Sequence, residues 1–136
     1  MEVWGGENIE MSLRVWMCGG QLEIVPCSKV GHIYKKKTPY NFDTKKTIGC
    51  NNWRVGAVWL DQYYHLYNHL AGYKYDQKTC GDVSDRLELR KKLKCHSFDW
   101  FLTNIYPELQ IPADGDMAFG YGQYNKTGIE LHLYFF

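Results

Sequence analysis

Several things are scarce in this 136-residue chain. It contains no Cys-x-x-Cys pair, which argues against a structural zinc site. No apolar run is long enough to cross a membrane, and no signal-peptide pattern stands at the start. Formal net charge is +1, so no bias of sign points to an acidic or basic partner. Lysines cluster at Lys35–Lys37 and Arg90–Lys92, but no nucleic-acid-binding motif frames either cluster. Nucleic acid is therefore not an expected partner. No internal repeat is visible, which excludes solenoid and propeller architectures.

Aromatic residues, by contrast, are dense: 11 Tyr, 6 Phe and 5 Trp. Such side chains suit contact with carbohydrate or nucleotide, although packing a small core is their commoner use. The five cysteines are Cys18, Cys27, Cys50, Cys80 and Cys95. An odd count leaves at least one thiol without an internal partner. Asn125-Lys126-Thr127 is a glycosylation sequon. Both features lean toward a secretory-pathway lumen.

The pattern along the chain is mostly helical. A helix is expected from Glu7 or Asn8 to about Met17, with Ile9, Leu13, Trp16 and Met17 on one apolar face. Gly19-Gly20 ends it. Leu22 to Val25 reads as a short strand closed by Pro26, and Val30 to Tyr34 as a second extended piece. Lys35 to Gly49 reads as a long loop. From Asn52 to about Leu70 the helical period returns, with Val55, Val58, Trp59, Leu66 and Tyr67 on a shared face. Gly72 stops that helix, and Tyr73 to Gly81 reads as loop.

Ser84 is expected to cap the next helix, with Leu87 and Leu93 inward and Arg86, Arg90 and Lys94 outward. Glu88 and Lys92 are spaced for an i, i+4 ion pair. Ser97 caps a further helix with Phe98, Phe101, Leu102 and Ile105 inward, terminated by Pro107. Pro107 to Gly128 looks irregular, and Ile129 to Phe136 alternates. Two short strands and several helices cannot form a balanced layered domain. These helices look built to cover a sheet whose strands lie elsewhere.

Chemistry concentrates in Val3-Trp4-Gly5-Gly6-Glu7-Asn8 and in His32. Trp4 offers a flat apolar wall, and the two glycines let a ligand approach the backbone. Glu7 has an ordinary role beside a chemical one, since a carboxylate in a first helical turn is favoured by the helix dipole.

Trp4-Gly5-Gly6-Glu7-Asn8, Arg14 to Gly20, Val30-Gly31-His32, Val58 to Asp61, Arg86 to Leu93, Phe98 to Leu102 and Ile105 to Leu109 occur in one order. In that order they resemble the polypeptide N-acetylgalactosaminyltransferases. The resemblance covers residues 3 to about 120. It implies residues 1–120 as the C-terminal part of a catalytic domain and 121–136 as a divergent tail or linker, with the family's lectin domain absent.

The implied fold is α/β: part of a type-A glycosyltransferase, a Rossmann-like sandwich, of which this chain is a helix-rich portion with few strands. The implied reaction is transfer of N-acetylgalactosamine from UDP-GalNAc to Ser or Thr of a polypeptide, with retention, in the Golgi. A membrane anchor is expected only in a missing N-terminal segment. The implied cofactor is Mn²⁺, with His32 as one ligand. The family's other two ligands form an Asp-x-His motif, which this sequence lacks, so the site is incomplete here.

By position, Trp4 matches the tryptophan beside the diphosphate, and Glu7 the carboxylate facing the sugar, the candidate catalytic residue. Gly5 and Gly6 complete that site. Lys35 and Tyr40 belong to a mobile lid, Lys35 to Lys46. Lysine stands at 35 where arginine is common, which loses a bidentate fork to phosphate; Thr38 stands where histidine is frequent. The resemblance pairs Cys18 with Cys95 and leaves Cys27 for a cysteine outside the chain. Cys50 and Cys80 lie outside its pattern, pairing with each other being one option. The isolated chain is expected to be inactive. A second reading is a non-catalytic truncated protein that binds peptide or a partner.

Overall fold

A computed structural model describes residues 1–34, 41–70, 74–109, 111, 118–125 and 128–135; of residues 69, 70 and the two strands it describes the backbone alone. The described chain is helix-rich, with six α-helices and one two-stranded sheet.

Helix α1 spans Glu7–Met17. Its N-cap, Gly6, is left-handed at φ 83°, and no side chain caps it. Glu7 and Glu10 lie in its first turn instead, where the helix dipole favours negative charge. Leu13 and Met17, one helical turn apart, enter the core at 5% and 0% exposure. Ile9 does not join them: at 55% exposure it lies outside the buried stripe.

Helix α2 runs Thr44–Trp59, starting well before the expected Asn52, because the Asp43 carboxylate caps it by accepting from the Lys46 N–H. The expected single helix to Leu70 is also broken. Asp61 is left-handed at φ 49°, and no α-helix continues through that conformation. A 3₁₀ turn, Asp61–Tyr63, links to α3, Tyr64–Leu70.

Helix α4 is the short Gln77–Cys80, inside the stretch read as loop. Asp76 supplies its cap, accepting from the Thr79 N–H at 2.8 Å.

Helix α5, Ser84–Lys92, contradicts its expected faces. Val83 is its N-cap, not Ser84. Leu87 and Leu93 are 44% and 50% exposed. Arg90, expected outward, turns inward, its side chain 14% exposed. There it donates to both Asp61 carboxylate oxygens, at 2.6 and 2.9 Å, and to the carbonyls of Val58 and His96. Asp61 also accepts from the Phe98 N–H at 2.7 Å, so this network joins α2, α5 and the following helix. The expected Glu88–Lys92 pair does not form among the described residues.

Helix α6, Phe98–Asn104, is capped by Ser97, whose hydroxyl accepts from the Trp100 N–H. Phe98 and Phe101 are buried and stack with ring centroids 5.6 Å apart. Around Met17, Trp53, Val58 and Trp59 they complete the core.

Disulfides join Cys18 to Cys95 and Cys50 to Cys80; Cys27 is free and exposed. The first ties the end of α1 to the α5–α6 connection, where His96 N–H also donates to the Met17 carbonyl at 2.7 Å. The second ties α2 to α4.

Strands β1 (Ala118–Asn125) and β2 (Gly128–Phe135) pair antiparallel, from Asn125 opposite Gly128 to Ala118 opposite Phe135. The stretch expected to be irregular up to Gly128 therefore contains a strand, and residue 120 falls inside it. The two expected early strands do not form. Ile24, Val30, Ile33 and Tyr34 are 87–95% exposed on an extended segment. A strand needs a neighbour for its N–H and C=O groups. Among the described residues none pairs with this segment.

Candidate functional site

The turn before α1 is built around one side chain. Asn51 of α2 is fully buried, at 0% exposure. Its amide nitrogen donates to the carbonyls of Glu2 (2.8 Å), Gly5 (2.9 Å) and Trp4 (3.2 Å). Its oxygen accepts from the Glu2 N–H at 2.9 Å and from Arg54 at 3.0 Å. Arg54 in turn reaches the Glu2 carboxylate at 2.7 Å and the Cys80 carbonyl.

Gly5 and Gly6 make this path feasible. Both have positive φ, at 100° and 83°. A Cβ on Gly5 would come within 2.9 Å of the Ile48 side chain, and one on Gly6 within 3.0 Å of the Asn52 amide oxygen. Any side chain at either position adds strain to a clash.

The clamp seizes backbone and leaves side chains outside. Trp4 presents its ring to solvent at 54% exposure. Glu7, the first residue of α1, is exposed beside it. An indole face, a carboxylate and close backbone between them form a surface suited to a sugar or other polyhydroxylated ligand.

Trp4, Gly5, Gly6 and Glu7 follow one another along this turn. His32 stands apart on the exposed segment 21–34, its ring 4.2 Å from that of Tyr34. It makes no hydrogen bond or ion pair among the described residues. Lys35 and Tyr40 lie outside the described residues. So does the rest of the expected lid up to Tyr40; its end is not loop, since Thr44 to Lys46 form the first turn of α2.

Mn²⁺ needs several oxygen or nitrogen donors around one point. Among the described residues no group of three His, Cys, Asp or Glu side chains is placed to hold a metal ion. The residues in hand do not fit a complete Mn²⁺ site.

Two concavities flank the turn. One, of about 510 Å³, is lined by Glu10 ion-paired with Arg14, by Arg54 paired with Glu2, by Asp85 paired with Arg86, and by Asp82, which accepts hydrogen bonds from Gln77 and Ser84. Its charges are satisfied internally, so it offers little to a ligand. The other, of about 390 Å³, is apolar and bordered by Asn8, Ile9, Leu60, Phe101, Tyr106 and Leu109.

Asn51 and Arg54 went unnoticed in the sequence, and Asp61 was read only as the end of the Val58–Asp61 motif. Asn51 carried a signal: it sits four residues before Val55 and seven before Val58, both buried. A polar residue on an apolar helix face must find internal partners.

No model of a known protein family matches the chain. Individual relatives are similar over most of it. Polypeptide N-acetylgalactosaminyltransferase 6 of Bos taurus is 50% identical over 124 residues, 88% of this chain and 20% of that protein. Putative polypeptide N-acetylgalactosaminyltransferase 9 of Drosophila melanogaster is 53% identical over 114 residues, 83% of this chain and 17% of that protein. The human polypeptide N-acetylgalactosaminyltransferase 14 is 49% identical over 122 residues, 88% of this chain and 22% of that protein. The chain spans about a fifth of the length of the curated relatives it matches.

Proposed function

From the premise that this chain belongs to the polypeptide N-acetylgalactosaminyltransferase family, as a segment of it, we propose that it carries part of the donor site of a retaining, type-A glycosyltransferase. The reaction moves N-acetylgalactosamine from UDP-GalNAc to a Ser or Thr hydroxyl of a polypeptide. The compartment is the Golgi lumen; among the described residues no helix is long and apolar enough to cross a membrane.

One observation carries the reading: identity near one half across more than a hundred residues of the chain. Side-chain geometry supports it. Trp4 is an exposed wall for the nucleotide diphosphate, and Glu7 orients the sugar by accepting from its hydroxyls. Gly5 and Gly6 let the donor lie close to the backbone. Lys35 adds positive charge and Tyr40 an aromatic cover, both assigned by family position. His32 is by the same reasoning one metal donor among several, the others coming from outside this chain.

The isolated chain is accordingly inactive as a transferase while retaining weak donor contact at the turn. Two measurements test this. Sugar transfer from UDP-GalNAc to a Thr-rich peptide, with Mn²⁺ added, should give no turnover. UDP-GalNAc should shift the NMR signals of the Trp4 indole and of the Gly5, Gly6 and Glu7 amides. Turnover at the rate of a full-length enzyme would refute the partial-site reading. Unmoved signals at saturating donor would refute the assignment of the turn.

A further inference from the structure

Asn51 is itself fully buried, yet every polar atom of its side chain is committed to the turn that carries Trp4 and Glu7. Two amide protons serve three carbonyls, so at least one is shared. The oxygen is filled by the Glu2 N–H and by Arg54. Those partners also fix which way the amide points, since donors meet its oxygen and carbonyls meet its nitrogen.

Behind it stands a second brace. Arg54 bridges Asn51 to the carbonyl of Cys80, and Cys80 is bonded to Cys50, the residue next to Asn51. Covalent and hydrogen bonds thus close a ring, from Asn51 through Arg54 and Cys80 to Cys50 and back. Gly6, left-handed, follows the clamped carbonyls and hands the chain to α1, which Leu13 and Met17 anchor in the core. The Trp4 ring and the Glu7 carboxylate are therefore suspended between two fixed points.

We infer that Asn51 is the positioning residue of the Trp4–Glu7 surface, setting the indole and carboxylate relative to each other through the backbone, with Arg54 and the Cys50–Cys80 bond holding it in place. This deepens the donor-site reading and rests on it. Asn51 does not touch the ligand. It determines the spacing that the ligand meets.

Asn51→Asp separates this from a general packing role. It is nearly isosteric, keeps the acceptor, and turns a carboxylate oxygen toward three carbonyls. Losing a buried hydrogen-bond set raises the local opening equilibrium about tenfold to a hundredfold. Hydrogen exchange of the full 136-residue chain should therefore accelerate by that factor at Glu2, whose N–H donates to the Asn51 oxygen, and at Glu10, whose N–H donates to the Gly6 carbonyl. Amides of Val58 and Phe101 should stay within about threefold of the unaltered protein.

Arg54→Lys keeps the charge and loses the guanidinium fork. It should loosen the same amides more mildly, and it decides the matter if Asn51→Asp does not fold. Unchanged exchange at Glu2 and Glu10, or a rise shared equally by the core amides, would overturn the inference. Titrating each protein with UDP-GalNAc separates the two claims. A response of the Trp4 indole that is present in the unaltered chain and lost in Asn51→Asp supports both. A turn that loosens on substitution, with no donor response even in the unaltered chain, sinks the donor-site reading and leaves the clamp standing.

Discussion

Residues 21–34 and helix α2 hold similar apolar side chains and meet opposite fates. Ile24 and Val30 are 95% and 91% exposed, whereas Val55 and Val58 are 7% and 3% exposed. Composition does not explain the contrast; partners do. Helix α2 satisfies its backbone internally and needs only side-chain neighbours, which α1 and α6 supply around Met17 and Phe101. An extended segment must borrow hydrogen bonds from another strand, and among the described residues no strand pairs with 21–34. The same contrast divides the candidate site. The Trp4–Glu7 turn is locked by Asn51 from α2, while His32 lies on the unpartnered segment.

The largest expected effect is on the cross-link that holds α1 against the helical core. Cys18 and Cys95 are 77 residues apart, and closing a loop of that size contributes about 4 kcal/mol in the chain-entropy model. Cys18→Ser should lower unfolding free energy by roughly that amount, measured by denaturant titration of the oxidised protein. A loss under about 1 kcal/mol would mean that α1 is held by packing and by the His96–Met17 hydrogen bond without help from the bond.

A smaller effect belongs to the Asp61–Arg90 junction. Burial pushes the Asp61 carboxyl up, but hydrogen bonds from Arg90 and the Phe98 N–H, with the arginine charge, outweigh it and leave it below the ordinary aspartate value. Because the folded value is depressed, the stabilisation is fully present above the unfolded value, about 3.9. It is lost as pH falls through the depressed one. Asp61→Asn should cost about 1–2 kcal/mol at neutral pH, the pair being part exposed. It should also flatten the acid limb of the stability curve below about pH 4. An acid limb identical to that of the unaltered protein would assign the acid sensitivity to other carboxylates.

The smallest effect is expected where the comparison says nothing is buried. Ile33→Ser and His32→Ala should each change stability by less than about 0.5 kcal/mol, since Ile33 is 88% exposed and the exposed His32 ring meets that of Tyr34, itself 87% exposed. Thermal unfolding checks both. A shift above about 1 kcal/mol for Ile33→Ser would show that the segment packs on the helical body in solution.

Much of the helical content was legible because helix signals are local. The period of Leu13 and Met17, the Ser97 cap and the Phe98–Phe101 spacing each lie within one or two turns, and helices stand at all three. The double glycine before Glu7 was read as a place where a ligand could approach the backbone; its positive φ angles and the Asn51 clamp beneath it came only with the structure. Neighbours chosen by the fold could not be read this way. Arg90 looked like one more outward charge on α5, and distance in sequence hid its partner Asp61. The break at Asp61 was invisible because the period of α2 runs straight across it; a carboxylate drawn to Phe98 and Arg90 ends the helix.

Chain chemistry alone was thus enough for α1, α6 and the family, all of which depend on residues close together or on their order. The packed structure settled which polar groups were buried and what held them. Asn51 could be noticed as polar on an apolar face, but its partners Glu2, Trp4 and Gly5 lie 46 to 49 positions away. The same holds for residues 21–34: a short apolar run closed by proline suggests a strand, but forming one takes hydrogen bonds from outside the segment.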